Sequence, residues 1–218
     1  MGVGGLPNAI ASQLVNHKNL GLHSEMFADG VMDLIRKGVI NNSQKAIDCG
    51  KSISSFLLGT REVFDFVNDN KDVLMMDVGY TNNPYIIGKN SKVASVNAAV
   101  QIDITGQVCA DSLGSRIISG TGGQLDFVQG ANLSKGGISI IALTSRAKNG
   151  ASKIVSALET AAGVVTPRAD VNWIVTEYGA VDLCGKGLKE RAKLLISIAH
   201  PYEREALEKA AFERFGRL

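Results

Sequence analysis

The sequence predicts an α/β domain with an open, mixed and largely parallel sheet flanked by helices. Segments of strand character alternate with segments of helical apolar spacing along the whole chain, and no repeat of fixed period interrupts them. Glycine is frequent, with 24 residues, which is typical of chains with many tight turns. A length of 218 residues suits one sizeable domain, although two small ones would also fit.

The N-terminal residues predict a glycine turn followed by a helix. The turn covers residues 2–8, and the apolar spacing from Pro7 onward fits a helix with proline in its first turn. Such a turn normally follows a strand, and here none precedes it. The chain is therefore expected to begin inside a motif, as a fragment or a cut domain would.

A strand over 20–24 and a helix over 27–37 are predicted on either side of Glu25. Side chains alternate between the two faces of an extended segment, so His23 and Glu25 share one face. Glu25 is expected at a strand-to-helix corner, the kind of place where open α/β sheets bind ligands.

The middle of the chain predicts short elements from clusters of β-branched residues and from apolar spacing. They are a strand over 45–49, a strand or loop over 52–58, a helix over 61–67 capped by Thr60, and a strand over 73–78. Apolar residues at period two within 93–104, followed by Thr105-Gly106 and a strand over 107–110, predict a hairpin.

The C-terminal part predicts strands over 138–143 and 173–176 and helices over 186–199 and 203–215. Residues 150–162 fit either a helix or a strand. His200-Pro201 separates the two helices, and His200 is expected to cap or pack there.

A second glycine cluster lies within 119–127, with glycines at 120, 122 and 123. Successive N–H groups in such a loop can form a concavity for an oxyanion. A tight turn that only connects two elements fits the same residues.

Composition argues against several classes of function. The net charge of +2 and the absence of a basic stripe make nucleic acid an unexpected partner. Cys49, Cys109 and Cys184 are widely spaced, so neither zinc nor disulfides are expected. No secretory signal or membrane-length apolar run is present, and neither glycine cluster matches a nucleotide fingerprint, so we expect a cytoplasmic protein without a nucleotide cofactor.

Five motifs occur in order along the chain: Gly2–Asn8, Gly21–Val31, Ser119–Phe127, Val175–Gly179 and Ile198–Pro201. Together they resemble the C-terminal domain of the 4-hydroxybutyrate CoA-transferase and acetyl-CoA hydrolase/transferase family. The resemblance covers essentially all of residues 1–218 but only about the C-terminal half of a typical member. It implies a CoA-transferase-like domain whose N-terminal half is absent.

The resemblance implies that Glu25 is the catalytic nucleophile, because it follows His-Ser as the family's glutamate follows His-Ser or His-Thr. It further implies an oxyanion site on the backbone of Gly122 and Gly123. The residues expected to contact the substrate or CoA are Gly2, Gly4, Gly5, Leu6, Pro7, His23 and Gln124. One departure is Gln129, which stands where members usually have arginine.

The implied function is transfer of coenzyme A between a short-chain acyl-CoA and a carboxylate, through a covalent glutamyl-CoA thioester. Coenzyme A is then a substrate, and neither a metal nor a permanently bound cofactor is expected. Hydrolysis of acyl-CoA by the same glutamate remains open. So does a catalytically silent module that needs the N-terminal domain of the same enzyme and forms a homodimer.

Overall fold

A computed structural model describes residues 5–217, with side chains from residue 9 onward. The chain forms two compact units. The first contains the described residues up to Ser95 together with Gln129–Ile138, and the second contains Val96–Val128 and the described residues from Ser139. Helices accompany parallel-rich sheets, which confirms the predicted fold class.

The first unit begins with helices and short strands in alternation. Its helices are α1 (Gly5–Gln13), α2 (Asp29–Arg36), α3 (Arg61–Val67), α4 (Val78–Thr81) and α5 (Pro84–Ile87), with a 3-10 turn at Leu14–Asn16. Its strands are β1 (Met26–Phe27), β2 (Ser52–Ser54), β3 (Phe56–Leu57) and β4 (Val73–Met75).

The strands of the first unit run parallel. β1 pairs with β3, and β2 pairs with β4. Two isolated parallel bridges add to this pairing: one joins Leu20 to Ile40, and the other joins His23 to Ile53. Helices α2 and α3 connect neighbouring parallel strands, as such crossovers require. The fully buried side chains of the core around them include Phe27, Val63 and Leu34.

Two predictions for this unit need correction. Helix α1 already includes Gly5 and Leu6, so these two residues are helical rather than part of the turn alone. Pro7 lies in the first turn of the helix, as predicted, and Gly2 and Gly4 lie outside the described residues. The predicted strand over 45–49 is a series of turns. Positive φ angles of 58° at Asn42, 51° at Asp48 and 76° at Gly50 bend the chain there and prevent strand pairing.

The second unit is richer in strands. Its strands are β5 (Ala94–Ala98), β6 (Gln101–Asp103), β7 (Val108–Cys109), β8 (Ser112–Leu113), β9 (Arg116–Ile117), β10 (Ile138–Ala142), β11 (Ile154–Val155), β12 (Trp173–Thr176) and β13 (Gly179–Asp182). Its helices are α6 (Gln124–Leu133), α7 (Leu188–Ser197) and α8 (Pro201–Phe215). The unit boundary passes through β5, β10 and α6.

Both parallel and antiparallel pairs occur here, as the mixed sheet predicts. A four-stranded sheet has the order β13-β12-β10-β5, and a three-stranded sheet has the order β11-β6-β7. The β6–β7 pair is the predicted hairpin, with Gly106 at a φ of 94° in its turn. The ambiguous segment 150–162 contains β11 and turns rather than a helix.

The continuous strand predicted over 93–104 is wrong, because the structure has two strands there, β5 and β6. In β5 the buried residues are Ser95 and Asn97, whereas Val96 and Ala98 are only half-buried. The strand breaks after Ala98, before β6. Apolar period two therefore does not identify the buried face across a break.

The C-terminal helices follow the prediction closely. α7 and α8 are separated at His200, whose Nδ1 accepts a hydrogen bond from the Tyr202 N–H at 3.3 Å. His200 is therefore the N-cap of α8, and Pro201 occupies the first turn. Among the described residues, every helix is too short or too polar to cross a membrane.

Candidate active site

The main chain of Glu25 is fixed at a bend immediately before β1. Its carbonyl oxygen accepts hydrogen bonds from the Ser55 N–H at 2.9 Å and the Phe56 N–H at 3.1 Å. The Ser54 hydroxyl donates to the same oxygen at 3.0 Å. Because three donors hold this carbonyl, the backbone from which the carboxylate extends has little freedom.

The side chains around Glu25 alternate between two faces. Leu22 and Ser24 are buried, with exposures of 7% and 2%, whereas His23 and Glu25 are half-buried. This supports the expectation that His23 and Glu25 share a face. The expected strand-to-helix corner is wrong, because β1 follows Glu25 and α2 begins only at Asp29.

His23 is held beside α4. Its Nε2 lies 2.9 Å from the Thr81 carbonyl oxygen, which can only accept, so this nitrogen donates. Its ring centroid is 6.2 Å from that of Tyr80. Burial lowers the pKa of His23, partly opposed by the bond to Thr81. The imidazole is therefore neutral near pH 7 and adds no charge beside Glu25.

Hydroxyl and amide groups surround this segment in place of a wholly apolar lining. Besides Ser24, the buried polar residues of the first unit include Asn42, Ser52, Ser54 and Thr81. The Ser55 and Thr81 hydroxyls hydrogen-bond to each other, and the Tyr80 hydroxyl donates to the Asp48 carboxylate at 2.9 Å.

Sequence reasoning missed these supporting residues on 42–55 and on α4. A signal for α4 and α5 was present, since the Asp77 and Asn83 side chains accept from Gly79 N–H and Tyr85 N–H as N-caps. Asn83 is followed by proline, which is typical of a helix start. The capping pattern would have placed Thr81 at the end of a helix rather than in a loop.

Lys45 is a further residue that the sequence did not single out. Its Nζ donates to the Leu22 carbonyl oxygen at 2.9 Å and to the Lys51 carbonyl oxygen at 2.7 Å. Burial lowers its pKa to about 8, opposed by the charges of Asp48 and Cys49.

The second glycine cluster forms a turn that leads directly into α6. Gly122 has a φ of 57°, and Gly123 precedes the first residue of the helix, Gln124. The Gly123 carbonyl accepts from the Phe127 N–H at 3.0 Å. The N–H groups at the start of a ten-residue helix carry partial positive charge, which suits an anionic oxygen.

Gln124 anchors this turn. Its Nε2 donates to the Thr166 hydroxyl at 3.2 Å, and Thr166 is fully buried. Thr166 in turn exchanges backbone hydrogen bonds with Val108 in β7. The side chain that we expected to contact substrate therefore ties the start of α6 to the strand framework.

The structure groups the predicted site residues in two places. His23 and Glu25 are adjacent in the first unit, and Gly122, Gly123 and Gln124 are consecutive in the second. Residues 5–7 form the start of α1. An open surface depression of about 510 Å³ lies elsewhere, beside Val67 and Val73, and none of these predicted residues lines it.

The motif around Glu177 has a structural role in the second unit. The Glu177 carboxylate accepts from the Ser145 N–H at 2.8 Å and from the Ser145 hydroxyl at 2.6 Å. Burial acts to raise the Glu177 pKa, but these hydrogen bonds outweigh it and the pKa is lowered. Among residues 5–217, no cluster of three histidine, cysteine or acidic side chains could hold a metal ion.

Comparison with known proteins gives close matches over nearly the whole chain. The 4-hydroxybutyrate coenzyme A transferase of Clostridium kluyveri is 50% identical over 99% of this chain and 50% of its own length. A succinyl-CoA:acetate/propanoyl-CoA:succinate CoA transferase of Fasciola hepatica is 52% identical over 98% of this chain and 45% of its own. The chain thus spans about half the length of these relatives.

A solved structure and more distant relatives agree with these matches. RipA from Yersinia pestis superposes with a TM-score of 0.94 at 43% identity, covering 100% of this chain and 49% of RipA. An acetyl-CoA hydrolase of Kluyveromyces lactis is 30% identical over 92% of this chain and 38% of its own length.

The sequence profile of the acetyl-CoA hydrolase/transferase C-terminal domain matches residues 59–211. This match covers more than half of the chain and confirms the resemblance inferred from the five motifs. The chain belongs to the family of acetyl-CoA hydrolase/transferase C-terminal domains.

Proposed function

We propose that this chain carries the nucleophile of a CoA-transferase, which moves coenzyme A between a short-chain acyl-CoA and a carboxylate of the acetate, 4-hydroxybutyrate or butyrate type. The observation that carries the proposal is Glu25, a half-buried carboxylate on a main chain fixed by three donors. Relatives named as CoA transferases align over this whole region.

The proposed reaction proceeds by two exchanges at Glu25. The carboxylate attacks the thioester carbonyl, the C–S bond breaks, and the CoA thiolate leaves with the bonding electrons, so a mixed anhydride remains. The thiolate then attacks the glutamyl carbonyl, releases the first carboxylate and forms a glutamyl-CoA thioester. A second carboxylate reverses both steps and leaves as its own acyl-CoA.

The costly species in this scheme are tetrahedral intermediates with a negatively charged oxygen. We assign their stabilisation to the backbone N–H groups of Gly122 and Gly123, because these residues open the N-terminus of α6. One donor of this kind typically contributes about 2.7–4 kcal/mol to the barrier. We keep His23 and Gln124, with Gly2, Gly4, Gly5, Leu6 and Pro7, as proposed contacts to substrate or coenzyme A.

Two further readings make different predictions. In a hydrolase, water intercepts the same glutamyl intermediate, and some relatives are named acetyl-CoA hydrolases. Initial rates of acyl-CoA consumption with and without acetate separate the two, since only a transferase needs the acceptor. In the other reading, residues 1–218 act as a C-terminal domain that reacts only with an N-terminal domain, as a single chain or in a homodimer.

Mass spectrometry after incubation with butyryl-CoA tests the proposal. We expect a CoA-sized adduct on Glu25 that hydroxylamine removes, because hydroxylamine cleaves thioesters. Glu25→Gln keeps the side-chain size and should abolish the adduct. Glu208→Gln is the matched control, because Glu208 is exposed on α8, and it should leave the adduct unchanged.

The outcome that contradicts the proposal is an adduct that survives in Glu25→Gln or that maps to Cys49, Cys109 or Cys184. The same incubation is repeated with the N-terminal half of the Clostridium kluyveri relative supplied as a separate polypeptide. An adduct that appears only in this second arm supports the domain that needs a partner.

A further inference from the structure

The amine of Lys45 bridges the segment that carries Glu25 to the neighbouring strand. Its two hydrogen bonds end on backbone carbonyls, those of Leu22 and Lys51. Leu22 lies three residues before Glu25, and Lys51 directly precedes β2. A lysine in this position links two parallel strands without a carboxylate partner for its Nζ among the described ion pairs.

Two side chains and one strand neighbour hold the polar backbone groups of Leu22. Pairing with the segment at Ile40 ends at Leu20, and the chain turns away at Asn42, where φ is 58°. The Asn42 Oδ1 accepts from the Leu22 N–H at 2.8 Å, and Lys45 donates to the Leu22 carbonyl. The Ile53 N–H of β2 also donates to this carbonyl, at 3.2 Å. The loop and β2 therefore hold the Leu22 backbone together.

The backbone at Gly21 is shaped to the stem of Lys45. A Cβ atom at Gly21 would lie 2.6 Å from Lys45 Cγ and 3.1 Å from Cδ, so a larger residue would displace the lysine. The charge is also in an unfavourable place, since burial lowers the Lys45 pKa to about 8.

We propose that Lys45 is a positioning residue for Glu25, which acts by fixing the Leu22 peptide and hence the point from which residues 23–25 extend. This inference rests on the proposed function. The Glu25 carbonyl is fixed at the other end by Ser54, Ser55 and Phe56. Loss of Lys45 leaves the Leu22 carbonyl with the Ile53 N–H as its remaining donor, so the peptide can shift. A displacement of about 1 Å in a reacting group can cost about 100-fold in rate.

The test compares Lys45→Met with Lys51→Met. Lys51 is a matched control because its Nζ also donates to a backbone carbonyl, that of Lys71 at 2.9 Å, and its second acceptor is the Asp72 carboxylate rather than the segment that carries Glu25. The rate of glutamyl-CoA formation is measured at several butyryl-CoA concentrations, well below the melting temperature of each variant. Lys45→Arg and Gly21→Ala are measured in parallel.

We expect Lys45→Met to lower the saturating rate at least about tenfold with an unchanged half-saturating concentration, and Lys51→Met to change it less than about twofold. Lys45→Arg should recover part of the rate, because a guanidinium can also donate to two carbonyls. Gly21→Ala should slow the reaction although the amine is intact. Equal rates for Lys45→Met and Lys51→Met overturn the inference.

Hydrogen exchange separates failure of this inference from failure of the proposed function. If the wild-type protein forms no glutamyl adduct either alone or with the N-terminal half supplied, the proposed function fails, and exchange at residues 22–25 then decides the positioning claim. Faster exchange there in Lys45→Met than in Lys51→Met supports positioning, and equal exchange refutes it.

Discussion

Replacing Asp103 with alanine should destabilise the second unit by removing the acceptor that holds the β6–β7 turn. The carboxylate is 2% exposed. Its Oδ1 accepts from the Thr105 N–H at 2.9 Å, the Thr105 hydroxyl at 2.6 Å and the Gln107 N–H at 3.0 Å. Its Oδ2 accepts from Gln107 Nε2 at 2.9 Å.

The magnitude follows from which donors lose their acceptor. Thr105 is fully buried, so its orphaned N–H costs about 1–3 kcal/mol, whereas the half-buried Gln107 N–H reaches water more easily and costs about 1 kcal/mol. The total is about 2–4 kcal/mol. Asp103→Asn keeps the three hydrogen bonds at Oδ1. Its new amide NH2 group faces Gln107 Nε2, so one donor–acceptor pair becomes a pair of donors. This variant should therefore cost about 1 kcal/mol.

The single tryptophan of the chain, Trp173, lies in β12 of the same unit and reports urea unfolding by fluorescence. Asp182→Ala is the control, because Asp182 makes one hydrogen bond, to the exposed Cys184 N–H, and should cost under about 1 kcal/mol. The reasoning is refuted if the free energy of unfolding of Asp103→Ala is within about 1 kcal/mol of wild type. It is also refuted if Asp103→Asn lowers the free energy of unfolding as much as Asp103→Ala does. A loosened hairpin should also reach the Gly122–Gly123 turn, since β7 supports it through Thr166 and Gln124.

Three further predictions concern charge and backbone strain. The Glu177 pKa is lowered from 4.5 by its hydrogen bonds to Ser145, so the pair stabilises the fold above that pH. Ser145→Ala should be less stable than wild type at pH 7 and should match it in acid, where Glu177 is protonated. Urea unfolding at several pH values checks this. The Lys45 pKa is lowered from 10.5 to about 8, so the unfolded chain binds more protons than the folded chain between these two pH values. The free energy of unfolding of the wild type should therefore rise with pH in this window. The same measurement on Lys45→Met should lack this rise. Gly106→Ala should lower the free energy of unfolding by about 1–3 kcal/mol. The reason is that φ at Gly106 is 94° and the new Cβ would lie 2.9 Å from Nη1 of the buried Arg191. Equal melting temperatures for the variant and the wild type would count against this prediction.

Local patterns predicted elements well where they encode their own boundaries. The helix at Arg61–Val67 and the strand at Trp173–Thr176 have the predicted bounds. In both elements the apolar spacing stops at residues that do not continue it, so the ends of the element can be predicted from the local sequence. Thr60 stands at the predicted cap position, but its hydroxyl donates to Asp29 at 2.5 Å instead of capping the helix. The position was readable from the sequence, and its long-range partner was not.

The predicted strand over 45–49 failed because the residues around it are held by distant partners. The Ala46 N–H donates to the Asn90 side chain at 2.9 Å, and Lys45 reaches Leu22 and Lys51. The bonds to Asn90 and Leu22 join residues far apart in sequence, so no local periodicity reports them. For the same reason a motif could single out Glu25 as a candidate, but nothing in the sequence pointed to the lysine that binds the Leu22 carbonyl.

The hydroxyl-rich lining around Glu25 bears on how this domain responds to protein engineering. Ser52 and Ser54 are essentially buried, and methyl groups in their place would add apolar contact area. A stability screen would favour alanine at Ser54, because the Glu25 carbonyl keeps the Ser55 and Phe56 N–H donors. The same change would remove one of the three donors that hold this carbonyl. Substitutions in this lining that raise thermal stability should therefore also lower the turnover rate.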